Sequence, residues 1–284
     1  MRTYLLEKSR ITSQLPDEQN YHVLYQVAAN LPSSIRKSYE MPPWETFSYL
    51  NVRNKAKVEW DEFPSTWKEL EDAMHAFPLI APNVANVWKV LAAVLHLGNA
   101  KFKGTGEDDA YFDGGPSIGC AAKLLGCVTE QLTKAICTLN IKAGLDWIAK
   151  PNSTTYAHSA KDALSKALYS RLFNTIVECI NDSLMFGGDT RFFIGAVDIF
   201  GFECFPRNSL EQLCINFANE KLQRMFTEAV FESVLAEYTR EGIDVGGMTF
   251  EDNSAVVALI EGSPSGLLTL LSEECFFPNG SDTG

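Results

Sequence analysis

The sequence lacks the short motifs with which cysteine and histidine commonly bind zinc or form redox centres. Its seven cysteines include no C-x-x-C pair, and its four histidines form no H-E-x-x-H cluster. The cysteine count is odd, and most cysteines lie within apolar patterns. These features predict reduced core thiols rather than disulfides or a metal site.

Long apolar runs and an excess of positive charge are also missing. No run is long enough to span a bilayer, and Met1 is followed by charged residues rather than by a signal peptide. Lys and Arg total 24 against 36 Asp and Glu, which gives a net charge of -12. This balance argues against broad binding to nucleic acid or anionic membranes, although a local patch can still meet an acidic partner. The sequence therefore predicts a cytoplasmic protein without a transmembrane segment.

The sequence has enough apolar residues for a large core. Hydrophobic residues make up 46% of its 284 positions, and no flexible linker divides them. Helical periodicity predicts helices at 19–30, 84–97, 158–185 and 209–238. Strand patterns occur at 3–12, in a strand–loop–strand segment at 141–157, and at 192–198, a run that is apolar on both faces. The fold class predicted is α/β and mainly helical.

The run at 192–198 ends in the pattern D-x-x-G, formed by Asp198 and Gly201. In P-loop NTPases this aspartate follows a buried strand and lies near Mg²⁺, because a hard cation prefers oxygen ligands. The glycine lets a backbone N–H approach the γ-phosphate. Taken alone, the pattern is weak evidence, since an aspartate and a glycine at a strand end are more often only a turn.

The surrounding sequence closely resembles the motor domain of myosins. DIFGFECF at 198–205 and NSLEQLCINFANEKLQRMF at 208–226 are similar to the switch II loop and the relay helix of that family. Other matching segments occur in the family's order: YLLEKSR at 4–10, NYHVLYQ at 20–26, VWKVLAAVLHLGN at 87–99, KDALSKALYSRLF at 161–173 and LLTLLSEECFFP at 267–278. The resemblance covers essentially the whole chain.

The resemblance implies a fold, domains and site residues. The chain would be a fragment of a P-loop NTPase-type motor domain with a few strands of its central sheet. Residues of about 1–190 would form an upper cleft region, and about 191–284 would hold switch II, the relay helix and the start of the lower cleft region. Asp198 would lie near Mg²⁺ through a water, Gly201 would donate its amide to the γ-phosphate of ATP, and Glu203 would pair with a switch I arginine and help to position the attacking water.

The resemblance also implies partners. Residues 141–157 match an actin-facing loop, in which Asp146 stands where the family carries an acidic or phosphorylatable residue. An aspartate there predicts permanent negative charge, with a solvated loop charge as the alternative. Actin filaments are the implied partner, and light chains or calmodulin would bind a lever region that this sequence does not contain. The implied location is the cytoskeleton, in a myosin complex.

Two family sequences do not occur in the chain: the phosphate-binding G-x-x-x-x-G-K-[ST] and the switch I N-x-N-S-S-R. We therefore expect that the chain alone does not hydrolyse ATP. Two interpretations stay open: a segment of an actin-activated ATPase, or a truncated non-catalytic protein that at most contacts actin or other motor segments. A kinesin relative is disfavoured, because kinesins share the D-x-x-G pattern but not the EQLCINFANEKLQ sequence.

Overall fold

A computed structural model describes residues 1–4, 6–14, 18–50, 63–104, 109–143, 146–185, 192, 194–206, 208–246 and 252–276. The chain divides into two units, Met1–Asp189 and Thr190–Gly284. The assignment of these two parts to the upper and lower cleft regions of a motor stays a prediction.

The first unit is mainly helical. Its α-helices are α1 (His22–Asn30), α2 (Ser33–Ser38), α3 (Phe63–Ala76), α4 (Val84–Gly98), α5 (Ser117–Leu125), α6 (Thr129–Cys137) and α7 (Thr154–Leu184). Its strands are β1 (Phe102–Lys103), β2 (Tyr111–Phe112), β3 (Thr138–Ala143) and β4 (Asp146–Pro151). Each strand pairs antiparallel with its neighbour in sequence, so the four strands form two hairpins.

Helix α4 is the centre of the hydrophobic core, as its apolar sequence predicts. Leu91, Val94 and Leu95 are at most 2% exposed. Gly98 is the last helical residue, one residue beyond the predicted end at 97, and Asn99 is the C-cap. The glycine is needed for another reason: a Cβ added there would lie 2.7 Å from Cδ2 of Tyr49.

Helix α7 begins earlier than its sequence pattern predicts. The Ser153 hydroxyl accepts a hydrogen bond from the backbone N–H of Tyr156 at 3.2 Å and so caps the first turn. The resulting 31-residue helix buries Lys161, Ser165 and Tyr169 against the rest of the first unit. The strand–loop–strand predicted for 141–157 is confirmed as the β3–β4 hairpin, but its last residues already belong to α7.

The second unit contains α8 (Leu210–Phe226), α9 (Ser233–Arg240), α10 (Ser254–Glu261) and α11 (Leu267–Phe276). A π-helical segment, Thr227–Glu232, joins α8 directly to α9. The helix predicted over 209–238 is therefore helical throughout but changes its hydrogen-bond period in the middle. Such π segments often mark functional positions in helices.

Helix α8 is tied to α10 at two points. Nδ2 of Asn253 donates to the backbone oxygen of Glu220 at 2.9 Å, and the Lys221 ammonium lies 2.7 Å from the Glu261 carboxylate. The lysine–glutamate pair is exposed and adds little stability, whereas the asparagine bond to backbone fixes the start of α10 relative to α8.

Two strand predictions are wrong. The segment predicted as a strand at 3–12 contains a 3₁₀ helix at Lys8–Ile11. Within the predicted strand 192–198, the described residues form no strand, and Val197 is 76% exposed. A buried parallel strand needs hydrogen-bonding neighbours at its edges, and among the described residues none pairs with this segment. Among the described residues, the strands observed form two local hairpins.

No helix in the described ranges is both long enough and apolar enough to cross a membrane.

Candidate functional site

The D-x-x-G sequence lies in an irregular segment of the second unit, just before α8. Asp198 and Gly201 are exposed, whereas Glu203 is partly buried. The prediction that Asp198 follows a buried strand is wrong here, because residues 194–200 have no regular secondary structure and pair with no strand among the described residues. The segment 198–205, called the switch loop below, is held in place by a helix instead of by a sheet.

Two asparagines of α8 hold the backbone of the switch loop. Nδ2 of Asn219 donates to the backbone oxygen of Phe200 at 2.9 Å. Asn216 bonds both backbone groups of Glu203: its Oδ1 accepts the N–H at 2.8 Å, and its Nδ2 donates to the carbonyl at 2.8 Å. Asparagines three positions apart lie on the same face of a helix, so the loop runs along that face.

A third amide side chain of α8 reaches the Glu203 carboxylate. Nε2 of Gln212 donates to Oε2 of Glu203 at 3.2 Å. Oε1 of the same glutamine accepts the backbone N–H of Ser209 at 2.9 Å, as the third residue of a capping box does. Gln212, Asn216 and Asn219 were not predicted from the sequence, although their spacing of four and three residues on a predicted helix was a usable signal.

Local crowding does not explain why residue 201 is a glycine. A Cβ built on it would have no atom within 4 Å, and its φ is outside the left-handed region. An alanine should therefore fit the switch loop as it stands. Any need for glycine at this position must come from something that approaches the exposed backbone.

The described residues do not form a metal site by themselves. No group of three or more His, Cys, Asp or Glu side chains in the described part of the chain is placed to hold a metal ion. Asp198 contributes at most one carboxylate, and the chain has no phosphate-binding loop sequence. The described residues therefore do not make up a Mg²⁺–nucleotide site by themselves.

Asp146 belongs to the other unit. It is the first residue of β4 and pairs with Ala143 at the turn end of the hairpin. The predicted exposure of its side chain lies outside the part of the chain that the structure describes. Further along the hairpin, Leu139 and Ile148 are 48% and 55% exposed, so this element presents apolar surface to its surroundings.

All seven cysteines are free thiols, as expected, but they are not all core residues. Cys120 and Cys137 are buried, whereas Cys127, Cys204 and Cys275 are exposed. Burial and the Glu40 carboxylate, 3.4 Å away, raise the pKa of the Cys120 thiol to about 11. This thiol is therefore protonated and unreactive near neutral pH.

Comparison with known proteins finds one family along the whole length of the chain. A family model described as "Myosin head (motor domain)" matches residues 1–284. Unconventional myosin-Vc of Homo sapiens is 38% identical over 289 residues, which cover 99% of this chain and 16% of that protein. Myosin-3 of Arabidopsis thaliana is 36% identical, with 99% of this chain and 25% of that protein covered. Unconventional myosin-XIX of Homo sapiens is 37% identical, with 97% and 29% covered. The chain thus spans less than a third of each of these relatives.

Proposed function

Because the chain belongs to the myosin head (motor domain) family, we propose that it is a segment of an actin-based motor in which the switch loop senses the γ-phosphate of ATP. In this proposal the helical run from α8 to α9 transmits the loop's movement. The observation that carries it is the direct attachment of the loop to α8 through Asn216 and Asn219. A loop bonded to a helix by its backbone cannot move far without moving the helix or breaking those bonds.

The proposed roles of the loop residues follow their chemistry. Asp198 would supply a carboxylate oxygen to Mg²⁺ through a water. Gly201 would offer its backbone N–H to the γ-phosphate, and the open space around this glycine supports a close approach. Glu203 would pair with a switch I arginine contributed by another part of the motor. ATP and Mg²⁺ are thus proposed ligands of the complete motor, with this chain providing only one side of their site.

The helical run from α8 to α9 is long enough to carry a movement from the switch loop to a distant part of a motor. Residues 210–240 are helical without a break, which at ~1.5 Å per residue corresponds to about 45 Å. The π segment in its middle is a local irregularity at which a helix can change direction. We therefore expect nucleotide-dependent changes to concentrate at 225–250 rather than to spread evenly along the helix.

Actin filaments are the proposed partner of the first unit. The β3–β4 hairpin supports this through its exposed Leu139 and Ile148, and through the Asp146 charge at its turn. Light chains or calmodulin would bind a lever region elsewhere in a longer protein. A cytoplasmic location in the cytoskeleton is proposed from the family alone.

The chain alone is proposed to be inactive. Phosphate binding in P-loop NTPases depends mostly on the backbone and lysine of a loop whose sequence is absent here. The test is to purify the chain and to measure ATP binding and phosphate release with and without actin filaments. Turnover at background in both conditions is expected. Actin-stimulated release would show that a phosphate site exists in this chain and would overturn the proposal.

The second interpretation is a truncated protein without motor function, which binds actin at most. It shares the prediction of no turnover by the chain alone. The two interpretations predict different activities for a protein that carries this segment together with a phosphate-binding loop and switch I. Such a protein should hydrolyse ATP and respond to changes in the switch loop if the motor interpretation is right, and should do neither if the second one is right.

A further inference from the structure

Glu203 is held by α8 more completely than any of its neighbours in the switch loop. The side-chain amide of Asn216 closes two hydrogen bonds of 2.8 Å on its backbone, one to the N–H and one to the carbonyl. Two bonds from one planar amide fix the orientation of the Glu203 peptide groups relative to the helix. Phe202 and Cys204 on either side are exposed, so Glu203 is more buried than its two immediate neighbours.

Gln212 then fixes the carboxylate. Its Oε1 accepts the Ser209 N–H at 2.9 Å and also lies 2.7 Å from the Ser209 hydroxyl. With the oxygen turned toward Ser209, the amide NH₂ must face the opposite way, where Glu203 Oε2 lies 3.2 Å away. The cap of the helix therefore determines which atom of Gln212 meets the carboxylate.

A glutamate could form the same capping box, because only the side-chain oxygen is needed for the cap. It could not donate a hydrogen bond to Glu203, and its charge would repel the Glu203 carboxylate. The capping function alone thus does not explain a glutamine at this position, whereas the contact with Glu203 does.

We propose that Gln212 and Asn216 are positioning residues that set the orientation of the Glu203 carboxylate, so that the N-terminal cap of α8 and the switch loop act as one unit. This rests on the proposed role of Glu203 in the motor. Rotation of the first turn of α8 would change the direction of the carboxylate, and an arginine that engages Glu203 would in turn act on the cap. The coupling between phosphate site and helix would then begin at the cap itself.

The main test is Gln212→Glu in a complete motor protein that carries this segment. This variant keeps the capping oxygen and loses the donor. We expect the phosphate burst to slow by roughly tenfold or more, as loss of a hydrogen bond to a charged group implies, while the rate of ATP binding stays unchanged. Lowering the pH should restore part of the burst relative to wild type, because a protonated glutamate can donate again. Gln223→Glu, the same charge change at an exposed position of α8, should leave the burst unchanged.

A second measurement does not depend on ATP. In the full chain of 284 residues, the Glu203 amide should exchange with solvent slowly because Asn216 accepts it. Asn216→Ala should speed this exchange by about fivefold or more, whereas Asn216→Asp, which keeps the acceptor, should retain protection. Fast exchange of the Glu203 amide in the wild-type chain would overturn the inference.

Failure of the positioning inference can be distinguished from failure of the proposed function. If Glu203→Ala abolishes the burst and Gln212→Glu leaves it at the wild-type rate, the positioning inference is overturned while the proposed function stands. If Glu203→Ala also leaves the burst unchanged, the proposed function of the switch loop fails and the inference fails with it. Loss of the burst in both variants, with Gln223→Glu unaffected, supports both.

Discussion

The phenolic oxygen of Tyr49 lies 2.6 Å from the Asp162 carboxylate, which ties the loop at 47–50 to helix α7. The Ser165 hydroxyl is 3.2 Å from the same phenol. The Lys161 ammonium lies 5.2 Å from the centroid of the Tyr49 ring and 3.0 Å from Asp162. Burial, together with the Asp162 carboxylate, raises the pKa of the Tyr49 phenol, so it stays protonated and able to donate. This polar cluster fixes α7 against the core of the first unit.

Tyr49→Phe should destabilise the first unit by about 1–3 kcal/mol, because it removes the hydrogen bonds of a buried phenol to the partly buried Asp162 and the buried Ser165. Urea unfolding of the chain monitored by tryptophan fluorescence measures this, since all five tryptophans belong to the first unit. Tyr156→Phe serves as the control, because Tyr156 is 65% exposed. Equal unfolding free energies for the two variants would show that the cluster contributes nothing.

Two glycine-to-alanine substitutions should have opposite effects. An alanine at Gly98 places a methyl group 2.7 Å from the Tyr49 ring, and overpacking of this kind costs roughly 1–3 kcal/mol. Gly119 lies within α5 with open space around it, so Gly119→Ala should stabilise the unit by about 0.5–1 kcal/mol through helix propensity. The same fluorescence-detected unfolding compares them, and a stabilising Gly98→Ala would contradict the packing described here.

The first unit should lose stability on mild acidification because of His96. This side chain is 3% exposed, and its Nε2 lies 2.9 Å from the Tyr39 carbonyl. Burial lowers the pKa of His96, and the hydrogen bond to the Tyr39 carbonyl and the nearby Glu40 carboxylate oppose this effect only in part. The unfolded state therefore binds more protons as the pH falls through about 6.5, the ordinary histidine value, and stability falls with it.

Comparison of variants isolates the contribution of His96. His96→Gln should flatten the dependence of the unfolding free energy on pH between 7 and 5, whereas His75→Gln at an exposed position should keep the wild-type slope. If His96→Gln retains that slope, other groups are responsible for the acid sensitivity.

Helix periods could be predicted from the sequence, because they depend on residues close along the chain. Helix α4 was predicted within one residue, and the strand–loop–strand predicted at 141–157 overlaps the β3–β4 hairpin of Thr138–Ala143 and Asp146–Pro151. The start of α7 was predicted at 158, four residues late, because Ser153 caps the helix. Serine is a frequent cap residue but is also common in loops, and only the backbone geometry shows which serine begins a helix.

The structure of the segment at 192–198 could not be predicted correctly from its own residues. An apolar run such as FFIGAVD is compatible with a buried strand, but strand formation depends on partners that lie far away in sequence. Asp198 and Gly201 were predicted from the D-x-x-G pattern and Glu203 from the family resemblance, and their roles stay predictions. The structure brings Glu203 and Phe200, the neighbour of Gly201, against α8. The amides of Gln212 and Asn216 were overlooked because they carry no charge and match no catalytic pattern.

Asp146 provides a test of the proposed actin contact. Asp146→Lys in a complete motor should change the actin concentration needed for half-maximal ATPase activity by up to about fivefold, because exposed charge pairs contribute ~0–1 kcal/mol. The change should shrink as salt is added. The actin concentration needed by Asp146→Asn should lie between those of the wild type and Asp146→Lys. An unchanged actin dependence at low salt in the lysine variant would exclude Asp146 from the interface.

The most direct test of the proposal that the switch loop senses phosphate is the rapid phosphate burst of a complete motor carrying Gly201→Ala or Glu203→Ala. The Gly201 variant should fold normally, because its Cβ has no neighbour within 4 Å. If the loop senses the γ-phosphate, the burst in each variant should be slowed on the order of 10²–10³-fold, with ATP still bound. Bursts at near wild-type rates in both variants would contradict the account.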